Sequence, residues 1–163
     1  MRCSYFLVLV GAALGAACSA SIVPGEPGRA VPLVRLRAEP YSFTYYSGLD
    51  QPERIVVRDE AAWREIWAAI WRQASPEPPL PEVDFSQDML VVVALGERLT
   101  GGFGILADSA FATEDELVIR VRTIAPGARC GTTQALTQPV DVARVPRAEL
   151  AVRFRDQPEV HEC

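Results

Sequence analysis

Met89-Leu90-Val91-Val92-Val93-Ala94-Leu95 is the stretch on which the fold turns: a near-continuous apolar run that reads as a strand. Downstream of it the pattern has period two. Residues 103–111 place Phe103, Ile105 and Ala107 on one face, and after the acidic turn Thr113-Glu114-Asp115-Glu116 the residues Leu117, Ile119 and Val121 alternate with outward Arg120 and Arg122. These two segments read as a hairpin. Val140-Asp141-Val142-Ala143-Arg144-Val145 and Leu150-Ala151-Val152-Arg153-Phe154, split by Pro146, add two more strands.

Upstream, Tyr41-Ser42-Phe43-Thr44-Tyr45-Tyr46 and Arg54-Ile55-Val56-Val57-Arg58 read as paired strands around Ser47-Gly48-Leu49-Asp50. Asp59 offers a helix N-cap, and residues 60–74 carry Trp63, Ile66, Trp67, Ile70 and Trp71 at spacings that put all five on one stripe. Such a stripe could stack a ligand, but at helical period it reads as the face that packs on a sheet. The prolines of Ser75-Pro76-Glu77-Pro78-Pro79-Leu80-Pro81 cannot continue the helix. One helix against five to seven strands makes the class α+β: an antiparallel sheet or partly open barrel with one amphipathic, Trp-rich helix packed on it.

The N-terminus carries an address. Arg2, the apolar run Tyr5-Phe6-Leu7-Val8-Leu9-Val10 and the small residues up to Ala17 read as a secretory signal. The run is too short to cross a bilayer stably, which takes roughly 20 apolar residues. Leu14-Gly15-Ala16-Ala17-Cys18 resembles the lipobox of bacterial lipoproteins, whose cysteine is lipidated, although Gly15 stands where Leu is usual. Ordinary cleavage near Ala20, leaving a soluble chain, is the competing reading. With Cys18 lipidated and Ser19 beside it, the expectation is an exported, outer-membrane-anchored protein. Residues 1–17 are then the leader, 18–32 a flexible Pro/Gly-rich tether, and 33–163 a single domain with its core motifs in 84–145.

All 16 basic residues are arginines, scattered among 21 acids for a formal net charge of −5, or −6 once Arg2 leaves with the leader. No basic face forms, so nucleic acid is not an expected partner. Of the four cysteines, Cys3 leaves with the leader and Cys18 is assigned to lipid. Cys130 and Cys163 remain, and in an oxidising compartment they are expected to bond, pinning the otherwise loose tail of residues 157–162 to the loop at 126–133. A metal site from Cys130, His161 and Cys163 lacks the ligand number and repeating spacing that zinc requires.

Two chemical readings are weighed and set aside. Gly102-Phe103-Gly104-Ile105-Leu106-Ala107 matches G-x-G-x-x-A literally, but it alternates as a strand, with no helix opening at Gly104 and no βαβ unit following. No cofactor is expected. His161, the single histidine, falls on the C-terminal tail beside the expected disulfide, poorly placed to serve as a base. The carboxylate pairs Asp84 with Asp88 and Glu114 with Glu116 fall in turns, where acids are common. The chain is not expected to be an enzyme.

Asp84-Phe85-Ser86, the strand from Met89, Gly96-Glu97-Arg98-Leu99-Thr100-Gly101-Gly102-Phe103-Gly104-Ile105, then Ala125-Pro126-Gly127 and Thr133-Gln134-Ala135-Leu136-Thr137-Gln138-Pro139-Val140 together resemble the protease complex subunit PrcB family, in particular its C-terminal domain. The likeness is strongest over residues 84–145, and Asp59-Glu60-Ala61-Ala62-Trp63 with Trp67 is similar to a short Trp-bearing helix that often precedes that domain. The resemblance implies a non-catalytic, often lipid-anchored accessory protein that associates with and stabilises a secreted protease. The Cys130/Cys163 pair is not part of the family pattern. The loop Leu99-Thr100-Gly101-Gly102-Phe103 also looks like the loop by which chagasin-type inhibitors plug papain-like proteases. The candidate interaction residues are therefore Thr100, Gly101, Gly102 and Phe103 with Thr132, Thr133, Gln134 and Thr137. An inhibitor requires residues 100–103 to form an exposed tip beside residues 132–137, whereas a scaffold allows Phe103 to be buried. A structural envelope lipoprotein without a protease partner is the third reading.

Overall fold

A computed structural model describes residues 28–37 and 46–163. Among the described residues, eight strands and one helix follow in the order β1 (Arg29–Val31), β2 (Val34–Arg35), β3 (Pro52–Val57), α1 (Glu60–Ile70), β4 (Asp88–Leu95), β5 (Gly104–Ala112), β6 (Glu116–Pro126), β7 (Val140–Pro146) and β8 (Ala151–His161). The α+β class holds, but the strands form two four-stranded sheets in place of one sheet or a partly open barrel. One sheet has the order β1-β5-β6-β8 and the other β2-β7-β4-β3.

The apolar run of β4 explains the layering. Met89, Val91, Val93 and Leu95 point between the sheets, where they meet Ile105, Ala107 and Ala110 of β5 and Leu117, Ile119 and Val121 of β6. Leu90, Val92 and Ala94 point the other way, against Val57 of β3 and Trp63, Trp67 and Ile70 of α1. A central strand covered on both faces has no polar side to alternate with, so its sequence is apolar throughout. Each of the large side chains so buried contributes about 1.5–3 kcal/mol.

Helix α1 starts where Asp59 accepts a 2.9 Å hydrogen bond from Ala62 N. Trp63, Trp67 and Ile70 are buried, whereas Ile66 and Trp71 of the same stripe are only partly so. The proline segment lies along the helix, and its carbonyls take the indole protons: Trp63 Nε1 donates to Pro81 O at 3.1 Å and Trp67 Nε1 to Pro78 O at 2.9 Å. Buried tryptophan needs such partners. The helix stops at Ile70, short of the expected residue 74, because Gly48 N caps the Ile70 carbonyl at 3.0 Å. Only glycine fits there, since a Cβ on Gly48 would lie 2.2 Å from Ala69 O.

Several pairings depart from expectation. β3 pairs with β4, from Pro52↔Leu95 to Val57↔Leu90, and the expected partner segment, residues 41–45, lies outside the described residues. Tyr46 instead bridges Gln138. The tether was expected to run to residue 32, yet Arg29–Val31 pairs with β5 and Val34–Arg35 with β7, because backbone groups laid against a sheet edge must be paired. Cys18 and the leader lie outside the described residues. The β5–β6 hairpin is antiparallel as expected, with a register shift between Ala107 and Ser109, but β8 runs parallel to β6. The chain crosses to the opposite sheet for β7 and returns, which restores the direction of β6. The tail, expected to be held by the disulfide alone, is also strand as far as His161.

A buried ion pair joins the layers. Asp141 of β7 is 2% exposed, and its carboxylate accepts from Arg35 Nε at 2.8 and 3.0 Å and from Ala107 N of β5 at 2.9 Å. Arg35 Nη2 donates in turn to Ala107 O at 3.2 Å. Burial holds the Asp141 carboxyl above the ordinary carboxylate range, against the pull of Arg35 and the Ala107 N–H. Removing Arg35 strands a buried charge, so Arg35→Ala should lose stability near the low end of the roughly 3–5 kcal/mol seen for such breaks, Arg35 itself being partly exposed. Because a raised carboxyl pKa favours the protonated folded state, that deficit should shrink as pH falls through the Asp141 pKa. Urea denaturation of both chains across pH measures it; a deficit independent of pH contradicts the assignment.

Candidate functional site

The two segments nominated from sequence are the loops that follow β4 (residues 96–103) and β6 (residues 127–139), and they meet at one end of the sandwich. Arg98 and Thr137 form an antiparallel bridge, with Arg98 N donating to Thr137 O at 2.8 Å and Thr137 N to Arg98 O at 2.9 Å. Gly101 N donates to Thr133 O at 3.0 Å, and Thr137 Oγ1 to Thr100 O at 3.0 Å. The tip is tied to its surroundings as well: Glu97 N donates to Asp50 O at 2.9 Å, and Ser47 Oγ to Gln138 O at 3.0 Å. Loop backbone so paired is ordered before anything binds.

The nominated residues divide sharply. Gly102, Thr133 and Gln134 are exposed; Thr100, Thr132 and Phe103 are partly so; Gly101 and Thr137 are buried and hold the loops together. Phe103 packs on the inter-sheet core, with the Arg98 guanidinium 5.8 Å from its ring centroid. The juxtaposition that an inhibitor needs is present, while the half-buried Phe103 serves packing. Sequence reading missed two exposed apolar side chains of this end. Leu99 is 77% exposed and Leu136 50%, and each is the chain neighbour of a residue of the Arg98–Thr137 bridge. Their signal is the register, which links residues far apart in sequence.

Gly102 turns the first loop at φ +89°, where a Cβ would also press to 3.0 Å from Pro126 Cβ and 3.2 Å from Thr132 Cγ2. Behind it, Cys130 and Cys163 are disulfide-bonded, their Cα atoms 5.2 Å apart, and Gly127 N donates to His161 O at 2.8 Å. The tail is thus fastened to the second loop.

The acidic pairs have structural partners. Asp84 accepts from Ser86 Oγ at 2.6 Å and Ser86 N at 2.9 Å, bonds that hold its carboxyl below the usual range. Asp88 lies 3.6 Å from Arg144, and Glu116 accepts from Arg153 at 2.7 Å. Gly104–Ala107 of the glycine motif lies within β5. An open groove of about 480 Å³ between α1 and the segment that leads into β4 sets Glu60, Glu82 and Asp84 beside Trp63 and Phe85. Neither histidine nor a hydroxyl or thiol nucleophile lines it.

Residues 89–146 match the family model described as PrcB C-terminal. Over that span the chain is similar to the PrcB C-terminal domain. The match spans β4 to β7, so the two segments that meet through Arg98 and Thr137 lie within it; α1, β8 and Cys163 lie outside the matched span. No curated protein and no solved structure matches the chain.

Two substitutions probe the tip. Gly102→Ala should cost about 1–3 kcal/mol from its positive φ. Cys130→Ser opens a span with sequence separation 33 and should cost about 3–4 kcal/mol. Chemical denaturation reads both, and an unchanged midpoint in either case removes the structural role given to that residue.

Proposed function

We propose that the chain is a non-catalytic, exported lipoprotein that acts by protein–protein contact, as an accessory and stabilising subunit of a secreted or envelope protease. The PrcB C-terminal domain supports association with a protease complex. The observation that carries the contact role is the pair Leu99 and Leu136, exposed on loops whose backbone is already paired. Two large apolar side chains held out in water gain by burial against a partner, and a preorganised loop loses little entropy on docking. The lone histidine supports the absence of catalysis: His161 is exposed at the end of β8, beside a cysteine pair already spent in a disulfide. The leader, with its lipobox-like Leu14-Gly15-Ala16-Ala17-Cys18, supports export and an anchor in the outer membrane.

Affinity capture from the native envelope tests this reading, with mass spectrometry of the bound proteins and of the processed N-terminus. The expected result is a lipid-bearing Cys18 and a co-purifying peptidase, recovered at least tenfold less by Leu99→Ser/Leu136→Ser at unchanged melting temperature. Recovery of no peptidase contradicts the protease role; recovery indifferent to the leucines contradicts the tip. Peptidase activity in the captured complex separates helper from inhibitor: a stabilising subunit prolongs it, and a chagasin-like plug abolishes it.

A further inference from the structure

Among the described residues, strand β8 lies at the edge of its sheet, outside the matched family span and independent of the tip leucines. Its ladder parity can be read from one bond. Gly127, the residue after β6, donates to His161 O, so His161 faces β6. By alternation Arg153, Arg155, Gln157 and Glu159 face β6 too, while the backbone groups of Val152, Phe154, Asp156, Pro158 and Val160 face outward. Pro158, which has no N–H, falls in the outward set, where it leaves the β6 ladder intact.

The side chains of this edge are complementary to themselves. Arg153 and Arg155, which also reach Glu116 at 2.7 and 3.9 Å, occupy its first half; Glu159 and Glu162, 3.5 Å from Arg122 and 4.0 Å from Arg129, occupy its end; and Val160 is left 58% exposed on the face that Phe154 shares. We propose that β8 pairs antiparallel with β8 of a second copy about a two-fold axis, joining two sheets into one. Outward-facing residues must oppose outward-facing residues, which limits the registers. Centring the axis on Gln157 sets Arg155 against the partner's Glu159 and Phe154 against the partner's Val160. It puts the neutral Gln157 against itself, whereas centring one residue earlier opposes two copies of Asp156. In this register Phe154 N and Val160 O, and the reverse, exchange bonds across the axis, and Asp156 N donates to the partner's Pro158 O. The missing donor of Pro158 forfeits one bond per protomer. Such an isologous contact closes on itself, so the edge is used once and no filament follows.

Sedimentation equilibrium of the purified chain should give a monomer–dimer equilibrium. Arg155→Glu should raise the dissociation constant about tenfold or more, since symmetry counts each cross-strand pair twice, and Arg155→Glu/Glu159→Arg should restore it to within about threefold. Hydrogen exchange of the unmodified chain gives a test that needs no variant: the amides of Phe154, Asp156 and Val160 should slow as concentration rises. A chain that remains monomeric at hundreds of micromolar, exchange at those amides independent of concentration, or a reversed pair that fails to restore association overturns the proposal.

Discussion

Strand β4 meets water on neither face, and the rest of the molecule is arranged to keep it dry. Its odd-numbered residues require a second sheet and its even-numbered residues require a helix, so β5 and β6 cover one side and α1 the other. That demand passes outward. Tryptophans on α1 bring indole N–H groups into an apolar layer, and the proline segment supplies carbonyls for them, which proline can do without offering a donor of its own. On the opposite side the two sheets need a polar tie where β7 meets β5, and Asp141 supplies it at the cost of burying a charge that Arg35 then balances.

The tip follows from the same frame. β4 and β6 end close together because they lie in facing sheets, and their outgoing loops are held by the Arg98–Thr137 bridge and by Gly101 against Thr133. The matched family span starts at β4 and ends with β7, so it takes in the central strand, its covering hairpin and both loops. What lies outside that span is support: α1 seals the outer face of β4, and the disulfide fastens the end of β8 to the second loop.

Features written locally in the sequence were legible. The apolar run of β4, the alternation of β5 and β6 around the acidic turn, the Asp59 cap and the cysteine pair each depend on residue type and short spacing. Features that depend on long-range placement were not. β2 is two residues long, too short to show a period, and its Arg35 finds Asp141 across 106 positions. The parallel course of β8 reflects a double crossing between sheets that no local pattern encodes. At the tip, Thr137 and Gly101 were nominated for exposure and instead hold the loops from within. Leu99 and Leu136 read as isolated leucines in polar loops, and only the bridge sets their neighbours Arg98 and Thr137 against each other.

The central claim is that a core built on β4 holds two loops in a fixed, outward-facing arrangement before any partner arrives. Native-state hydrogen exchange of individual amides tests it most directly. The β4 amides should open only with global unfolding, and Arg98, Gly101 and Thr137 should be strongly protected while Gln134 exchanges freely. Exchange of Arg98, Gly101 and Thr137 at the rate of unstructured chain would contradict it.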